Sequence, residues 1–374
     1  MPLFDVYPLY DVEPSKARGV YVYDQKGTKY LDLYGGHAVI SIGHGHRTYK
    51  RMLRKQLHRI GFYSNAVQNP LQEKLSAEIN RQSSCTDYEL FMCSSGAEAN
   101  ENALKLASFH TGKSRVISFD NAFHGRTSAA VAATDNKNIQ APLNNQQQVD
   151  FIPFNDADAL EKELAKGDVC AVIFEAIQGV GGLDEPTAAF VAKMETLCET
   201  HQTCLIADEV QSGFGRSGDF FAFQKYNINP HIISIAKGMG NGFPVGGILV
   251  NPVIKAKYGL LGTTFGGNHL ACSASLAVLQ VLEKEKLYDH AKAMGEYFVE
   301  KAKELSFVKT IKGRGLMLGL EFENEVGALR KELIFKHRIF TGGSSNKNLI
   351  RILPPLNVKQ KHLDQLFTAL NACH

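Results

Sequence analysis

The sequence predicts an α/β protein, with a large domain built on a mostly parallel sheet and a smaller α+β domain beside it. Three observations carry this. From about residue 70 to residue 236, short apolar runs of strand length alternate with segments of helical spacing, which implies right-handed crossovers between parallel strands. After residue 268 the alternation stops, and two long helical segments lead into a glycine-rich strand region and a last helix. A chain of 374 residues is long enough for both domains and a substantial core. The divisions read as 1–45, an N-terminal segment packing with the small domain; 46–268, the large domain; and 269–374, the small C-terminal domain.

In chain order, residues 19–33 (GVYVYDQKGTKYLDL) alternate in strand fashion around Gln25-Lys26-Gly27 and predict a hairpin. Asn69-Pro70 opens a helix to about Arg81. Tyr88–Cys93 is a strand and Ala97–His110 a helix. Arg115–Phe119, Val149–Pro153, Val169–Phe174, Thr203–Ala207 and His231–Ala236 are buried strands, with helices at Ala157–Lys166 and Thr187–His201 among them. In such sheets ligands bind outside the carboxyl ends of the strands, and most of the polar clusters fall just past those ends. The small domain then reads as helices over 269–284 and 287–305, strands within Val308–Glu323, a helix over 326–337, a strand at Leu349–Leu353 and a helix from about Val358.

Composition narrows the function. With 44% hydrophobic and 21% charged residues the chain is an ordinary soluble protein. A net charge of +3, with no block of like charge, argues against a nucleic-acid partner. The most apolar stretch, Val169–Phe174, is too short to span a bilayer, and Met1–Pro14 lacks the pattern of a signal peptide. Seven cysteines, an odd number without CxxC spacing, predict reduced thiols and a cytoplasmic protein. Gly43-His44-Gly45-His46 has no complementary ligand set at metal spacing, so no metal is expected.

Four segments carry chemistry. Ser94-Ser95-Gly96-Ala97-Glu98 follows a strand and opens a helix, where small residues let backbone N–H groups approach an anion; serine also caps helices without any ligand. The segment lacks a Walker lysine and a GxGxxG fingerprint, so a nucleotide is not its obvious ligand. Asp208 ends the buried strand Cys204-Leu205-Ile206, where a carboxylate needs a positive partner or donors; neighbouring backbone would suffice. Lys237 follows an apolar strand and precedes glycines, and a desolvated lysine becomes a nucleophile and Schiff-base former; it could equally be a surface turn lysine. In Asn121-Ala122-Phe123-His124-Gly125-Arg126-Thr127, Phe123 could stack on a planar cofactor and Arg126 could fork onto a carboxylate, or both could be ordinary packing and surface pairing.

The order and spacing of these segments add what none has alone. SSGAEANENALK at 94–105, NAFHGRT at 121–127, ADEVQSGFGRSG at 207–218, AKGMGNGFPVGG at 236–247 and TTFGGNHLA at 263–271 together resemble the class-III (ornithine-type) aminotransferases, the acetylornithine group most closely. The resemblance runs from Gly19-Val20-Tyr21-Val22 to Arg351-Ile352-Leu353-Pro354-Pro355. It implies the fold-type-I architecture of pyridoxal-phosphate (PLP) enzymes: a mostly parallel seven-stranded sheet, a small C-terminal domain and a homodimer.

By this resemblance Lys237 holds PLP as a Schiff base and, once displaced, shuttles the substrate proton. Asp208 pairs with the pyridine nitrogen, Gln211 bonds near the phenolic oxygen and Phe123 stacks on the ring. Ser95, Gly96 and Ala97 cradle the phosphate. Thr264 reaches it from the partner subunit, with Thr263 near the substrate. Arg126 and Arg351 clamp the substrate carboxylates, Arg351 taking the α-carboxylate of glutamate or 2-oxoglutarate. The implied activity is transfer of the δ-amino group of N-acetylornithine to 2-oxoglutarate in arginine biosynthesis, with N-succinylornithine, ornithine and 4-aminobutyrate as rival donors. A non-catalytic binding module on this fold should have lost the lysine or the aspartate, and this chain keeps both. Two departures stand out. Where the family reads E-P-x-Q-G-E-x-G, this chain has Glu175-Ala176-Ile177-Gln178-Gly179-Val180-Gly181-Gly182, so the second glutamate, thought to cover the α-carboxylate arginine, is Val180. His269 stands where TFGGNPLA has proline.

Overall fold

The computed structural model describes residues 3–373. Three short antiparallel strands come first: β1 (Pro14–Arg18), β2 (Tyr21–Asp24) and β3 (Lys29–Asp32). The expected hairpin is β2–β3. The mostly exposed β1 has no apolar alternation by which to be read.

The central sheet holds β4 (Glu89–Cys93), β5 (Arg115–Phe119), β6 (Val149–Ile152), β7 (Val169–Phe174), β8 (Cys204–Asp208), β9 (Ile232–Ile235) and β10 (Gly246–Val250), in the order β4-β10-β9-β8-β7-β5-β6. All run the same way except β10, which is antiparallel to both neighbours. Helices cover both faces, so β7, β8 and β9 are buried along their whole length and read as unbroken apolar runs. The expected six strands are all present. The seventh, β10, opens with Gly246-Gly247 and does not read as a strand. A Cβ on Gly247 would lie 2.5 Å from Phe91 O, and one on Gly246 2.6 Å from Ser95 O. The glycines thus mark close backbone approach within the sheet.

The amphipathic helix Arg47–Leu57 was also not legible as such. Its half-buried side packs on helix His269–Lys284, while Arg47, Lys50, Arg51, Arg54 and Lys55 are exposed and absent from the ion pairs of the described residues. This helix is thus a block of like charge, where none was expected. His46 caps this helix, Nδ1 accepting from Thr48 N at 3.3 Å, and His44 Nε2 lies 2.7 Å from Asp32 Oδ2. The paired histidines have structural partners.

Further on come helix Leu287–Ala302, β11 (Thr310–Arg314), β12 (Met317–Glu321), helix Gly327–Phe335, β13 (Ile339–Phe340), β14 (Leu349–Ile352) and helix Gln360–Cys373. Strands β11, β12 and β14 form an antiparallel sheet, and β13 pairs in parallel with β3 at Ile339↔Leu31, tying the N-terminal strands to the C-terminal part. Arg216, fully buried after β8, donates to Leu316 O, Pro354 O and Ile40 O and so cross-links three segments. His269 occupies the first helical position after the Asn268 cap, a position that suits proline, which explains the family residue there. No helix of the described residues is long and apolar enough to cross a membrane, and none of their cysteines is disulfide-bonded.

Candidate active site

The carboxyl ends of β4, β5, β7, β8 and β9 surround one cavity of about 380 Å³. Ser95, Gly96, Ala97, Phe123, Arg126, Asp208, Gln211 and Lys237 all line it, so eight of the residues singled out from sequence meet in one place.

Lys237 stands two residues past β9, in a tight turn over Lys237–Met239 with φ 44, a left-handed backbone uncommon outside glycine and typical of strained functional positions. Burial pushes its ammonium below the usual lysine range, against the pull of the Asp208 and Glu175 carboxylates. Asp208 ends β8 and is buried. Its Oδ2 accepts from Asn100 Nδ2 at 2.7 Å and lies 2.7 Å from His124 Nδ1, while Oδ1 accepts from Val210 N at 3.0 Å.

Between β4 and helix Gly96–Thr111, Ser95 is the N-cap, its hydroxyl accepting from Glu98 N at 3.2 Å, and Ser94 N donates to Glu98 Oε2 at 2.9 Å. The capping reading is met. The hydroxyl serves the cap, while the first-turn N–H groups of Gly96 and Ala97 have no preceding helical carbonyl and border the cavity. A Cβ on Gly96 would sit 2.5 Å from Val210 Cγ1, so only glycine fits.

Glu175, just past β7, is buried, and burial pushes its carboxyl up. Oε1 accepts from Phe123 N at 3.0 Å and Oε2 from Gly179 N at 2.7 Å, which fixes the loop carrying Phe123. Arg126 is exposed at the cavity and makes no ion pair among the described residues. Arg351, on β14, is buried behind Gln211. Its Nε donates to Gly343 O at 2.5 Å and its Nη1 to Gly179 O at 2.6 Å and Gln211 Oε1 at 3.1 Å. No carboxylate among the described residues lies within ion-pair distance of it, and burial pushes its guanidinium down to about 10. Val180 lines the cavity close by.

Thr263 and Thr264 are not brought to this cavity. Thr263 lines a separate one with Asn65 and Gln72, and its Oγ1 accepts from Gly266 N at 3.0 Å; Thr264 is exposed. Asn100, His124 and Glu175, given no role from sequence, all line the main cavity. Glu175 carried a usable signal, since it is a carboxylate at the end of a buried strand like Asp208. Asn100 and His124 gave none, because their contact joins a helix to a distant loop.

The residues fit pyridoxal phosphate. Free N–H groups at a helix start with no room for a side chain suit a phosphate. A buried carboxylate suits a protonated ring nitrogen, and a desolvated amine suits a Schiff base. The volume lies in the range of small-molecule sites.

Comparison with known proteins agrees. The family model described as aminotransferase class-III matches residues 6–373. The acetylornithine aminotransferase of Bacillus subtilis (strain 168) is 38% identical over 374 residues, covering 98% of this chain and 96% of its own. That of Bacillus cereus is 39% identical over 372 residues, covering 97% and 95%. The ornithine aminotransferase of Toxoplasma gondii ME49 superposes with a TM-score of 0.91 at 26% identity, over 98% of this chain and 92% of that one. With this sheet and this cavity, the chain belongs to the class-III aminotransferases, enzymes of fold type I whose cofactor is pyridoxal phosphate.

Proposed function

We propose that this enzyme transfers the δ-amino group of N2-acetyl-L-ornithine to 2-oxoglutarate, giving N-acetyl-L-glutamate 5-semialdehyde and L-glutamate by a ping-pong route. The observation that carries the donor is the full-length identity to enzymes named acetylornithine aminotransferase, up to 39%. The observation that carries the chemistry is the desolvated Lys237 amine facing the same cavity as Asp208.

When bound, pyridoxal phosphate supplies the carbonyl that receives the amino group and a ring that accepts the electron pair of the broken C–H bond. Lys237 Nζ, its ammonium pushed below the usual lysine range by burial, would hold that carbonyl and, once free, would take the proton from the substrate carbon bearing the amine. Asp208 holds the proton on the ring nitrogen. Ser95, Gly96 and Ala97 hold the phosphate, and Phe123 and Gln211 flank the ring. Arg126, which makes no ion pair among the described residues, takes the distal carboxylate, and Arg351 the α-carboxylate of glutamate.

The site is completed, on this reading, in a cytoplasmic homodimer, with Thr264 of the partner subunit on the phosphate and Thr263 of the partner subunit near the substrate. In support, Thr264 stands beside exposed Phe265, whose ring lies 5.5 Å from that of Phe62, with Tyr63 and Tyr258 also exposed. Apolar surface of this kind marks association.

The test is a donor panel with 2-oxoglutarate: acetylornithine, succinylornithine, ornithine and 4-aminobutyrate. Highest kcat/KM for acetylornithine supports the reading. A preference for any of the other three replaces it.

A further inference from the structure

We infer that Glu332, His337 and Cys373 form a zinc site, outside the active site, that clips the end of the last helix to the end of helix Gly327–Phe335. Its role is structural, and it does not depend on the proposed reaction.

Among the described residues these three are the one group of metal-ligating side chains whose ligand atoms all lie within 4.8 Å of one another: a carboxylate oxygen, an imidazole nitrogen and the thiol sulfur. Around a tetrahedral zinc ion such atoms stand about 3.3–3.6 Å apart, so small side-chain rotations close the site. The donor set selects the ion. Thiolate with imidazole suits zinc, whereas magnesium and calcium take oxygen ligands. Three protein ligands leave a fourth position for water, and all three residues are half-buried, which lets an ion enter. Glu332 and His337 are near in sequence but Cys373 is remote, so no spacing announces the set.

The fold brings the three together without help from a metal. Glu332 lies on helix Gly327–Phe335, whose Leu333 and Ile334 are fully buried. His337 follows in the turn that ends this helix, where Lys336 N donates to Glu332 O at 2.9 Å and His337 N to the same oxygen at 3.4 Å. That turn leads into β13, which is held by β3. Cys373 ends helix Gln360–Cys373, which packs on helix Gly327–Phe335 and buries Leu366 and Leu370. An ion would therefore meet ligands already placed. It would fasten a helix end whose neighbouring Asn371 and Ala372 are exposed.

Two present contacts must give way. The Cys373 thiol is hydrogen-bonded to the Glu332 carboxylate, and Lys336 Nζ lies 2.9 Å from Glu332 Oε1. The lysine pair is solvent-exposed and contributes little, so zinc displaces the ammonium at small cost. The thiol releases its proton to water as the sulfur–zinc bond forms.

The test uses holoenzyme dialysed against micromolar zinc chloride, as wild type, Cys373→Ser, His337→Gln and Glu332→Gln. Wild type should retain one zinc ion per chain more than Cys373→Ser. His337→Gln and Glu332→Gln should each weaken that binding by about tenfold or more, since even the outer partners of metal ligands are worth as much. Zinc should also slow alkylation of Cys373 by iodoacetamide, read by mass spectrometry, while leaving Cys85, the other half-buried cysteine of the described residues, unchanged. This protection should vanish in His337→Gln. None of the three residues lines the active-site cavity, so unchanged turnover in the variants, measured without zinc, shows that they fold. Equal zinc retention by wild type and Cys373→Ser overturns the inference. So does alkylation of Cys373 that is indifferent to zinc, or protection that survives in both His337→Gln and Glu332→Gln.

Discussion

Gln211 Oε1 accepts a hydrogen bond from Arg351 Nη1 at 3.1 Å, and this neutral contact, with the carbonyls of Gly179 and Gly343, is what holds the arginine. The family's second glutamate would supply a charged partner beside it, and Val180 cannot. On the proposed reading, the α-carboxylate of glutamate would therefore meet Arg351 without first breaking an ion pair. A charge-assisted pair is worth about 1.5–3 kcal/mol. Val180→Glu should accordingly slow the glutamate half-reaction relative to the acetylornithine half-reaction by roughly tenfold. Stopped-flow traces of the two half-reactions measure this. An unchanged ratio would mean that residue 180 does not act on Arg351.

Thr264 is exposed and lies outside the Lys237 cavity, so its proposed phosphate contact requires a second subunit. The protein should be a dimer by light scattering at micromolar concentration. Thr264→Ala should lose PLP during dialysis faster than wild type, with affinity lower by about tenfold for one bond to a charged phosphate. A fully active monomer would contradict shared sites.

Glu209 gives a pH prediction away from the chemistry. It is buried, and burial lifts its carboxyl from 4.5 to about 7, although Ala222 N, Phe223 N and the Ser212 hydroxyl all donate to it. In the window between these values the folded state keeps a proton that the unfolded state has released. This contribution to stability is full below pH 4.5 and is lost as pH rises through about 7. The stability of Glu209→Gln relative to wild type should therefore rise with pH across that window, by about 3 kcal/mol in all. Urea denaturation of both proteins at a series of pH values measures it. A difference independent of pH would show that Glu209 is ionised throughout.

The sequence was most legible where one-dimensional patterns carry the physics. Strands β7, β8 and β9 are buried on both faces, so each is a continuous apolar run, and their ends located Asp208 and Lys237 directly. Strand β10 was hidden because close approach of Phe91 O and Ser95 O demands glycines that otherwise read as loop. Helix Arg47–Leu57 was hidden because it buries no residue completely and its polar face dominates the composition. His124 and Asn100 were within quoted motifs, yet their roles depend on contacts with Asp208 across 84 and 108 positions, which no local spacing encodes. Arg351 illustrates the reverse case. Its place came from the family resemblance, while the lack of a carboxylate partner among the described residues is visible only in the fold.

The most direct test of the account is to locate the lysine that binds the cofactor. The holoenzyme is reduced with borohydride, digested, and mapped by mass spectrometry. The account expects a phosphopyridoxyl group on Lys237. It also expects Lys237→Ala to retain PLP through its other contacts, to lose the reducible adduct, and to lose turnover by roughly 10²–10⁴-fold or more. A phosphopyridoxyl group on any other lysine, or near-normal turnover by Lys237→Ala, would contradict it.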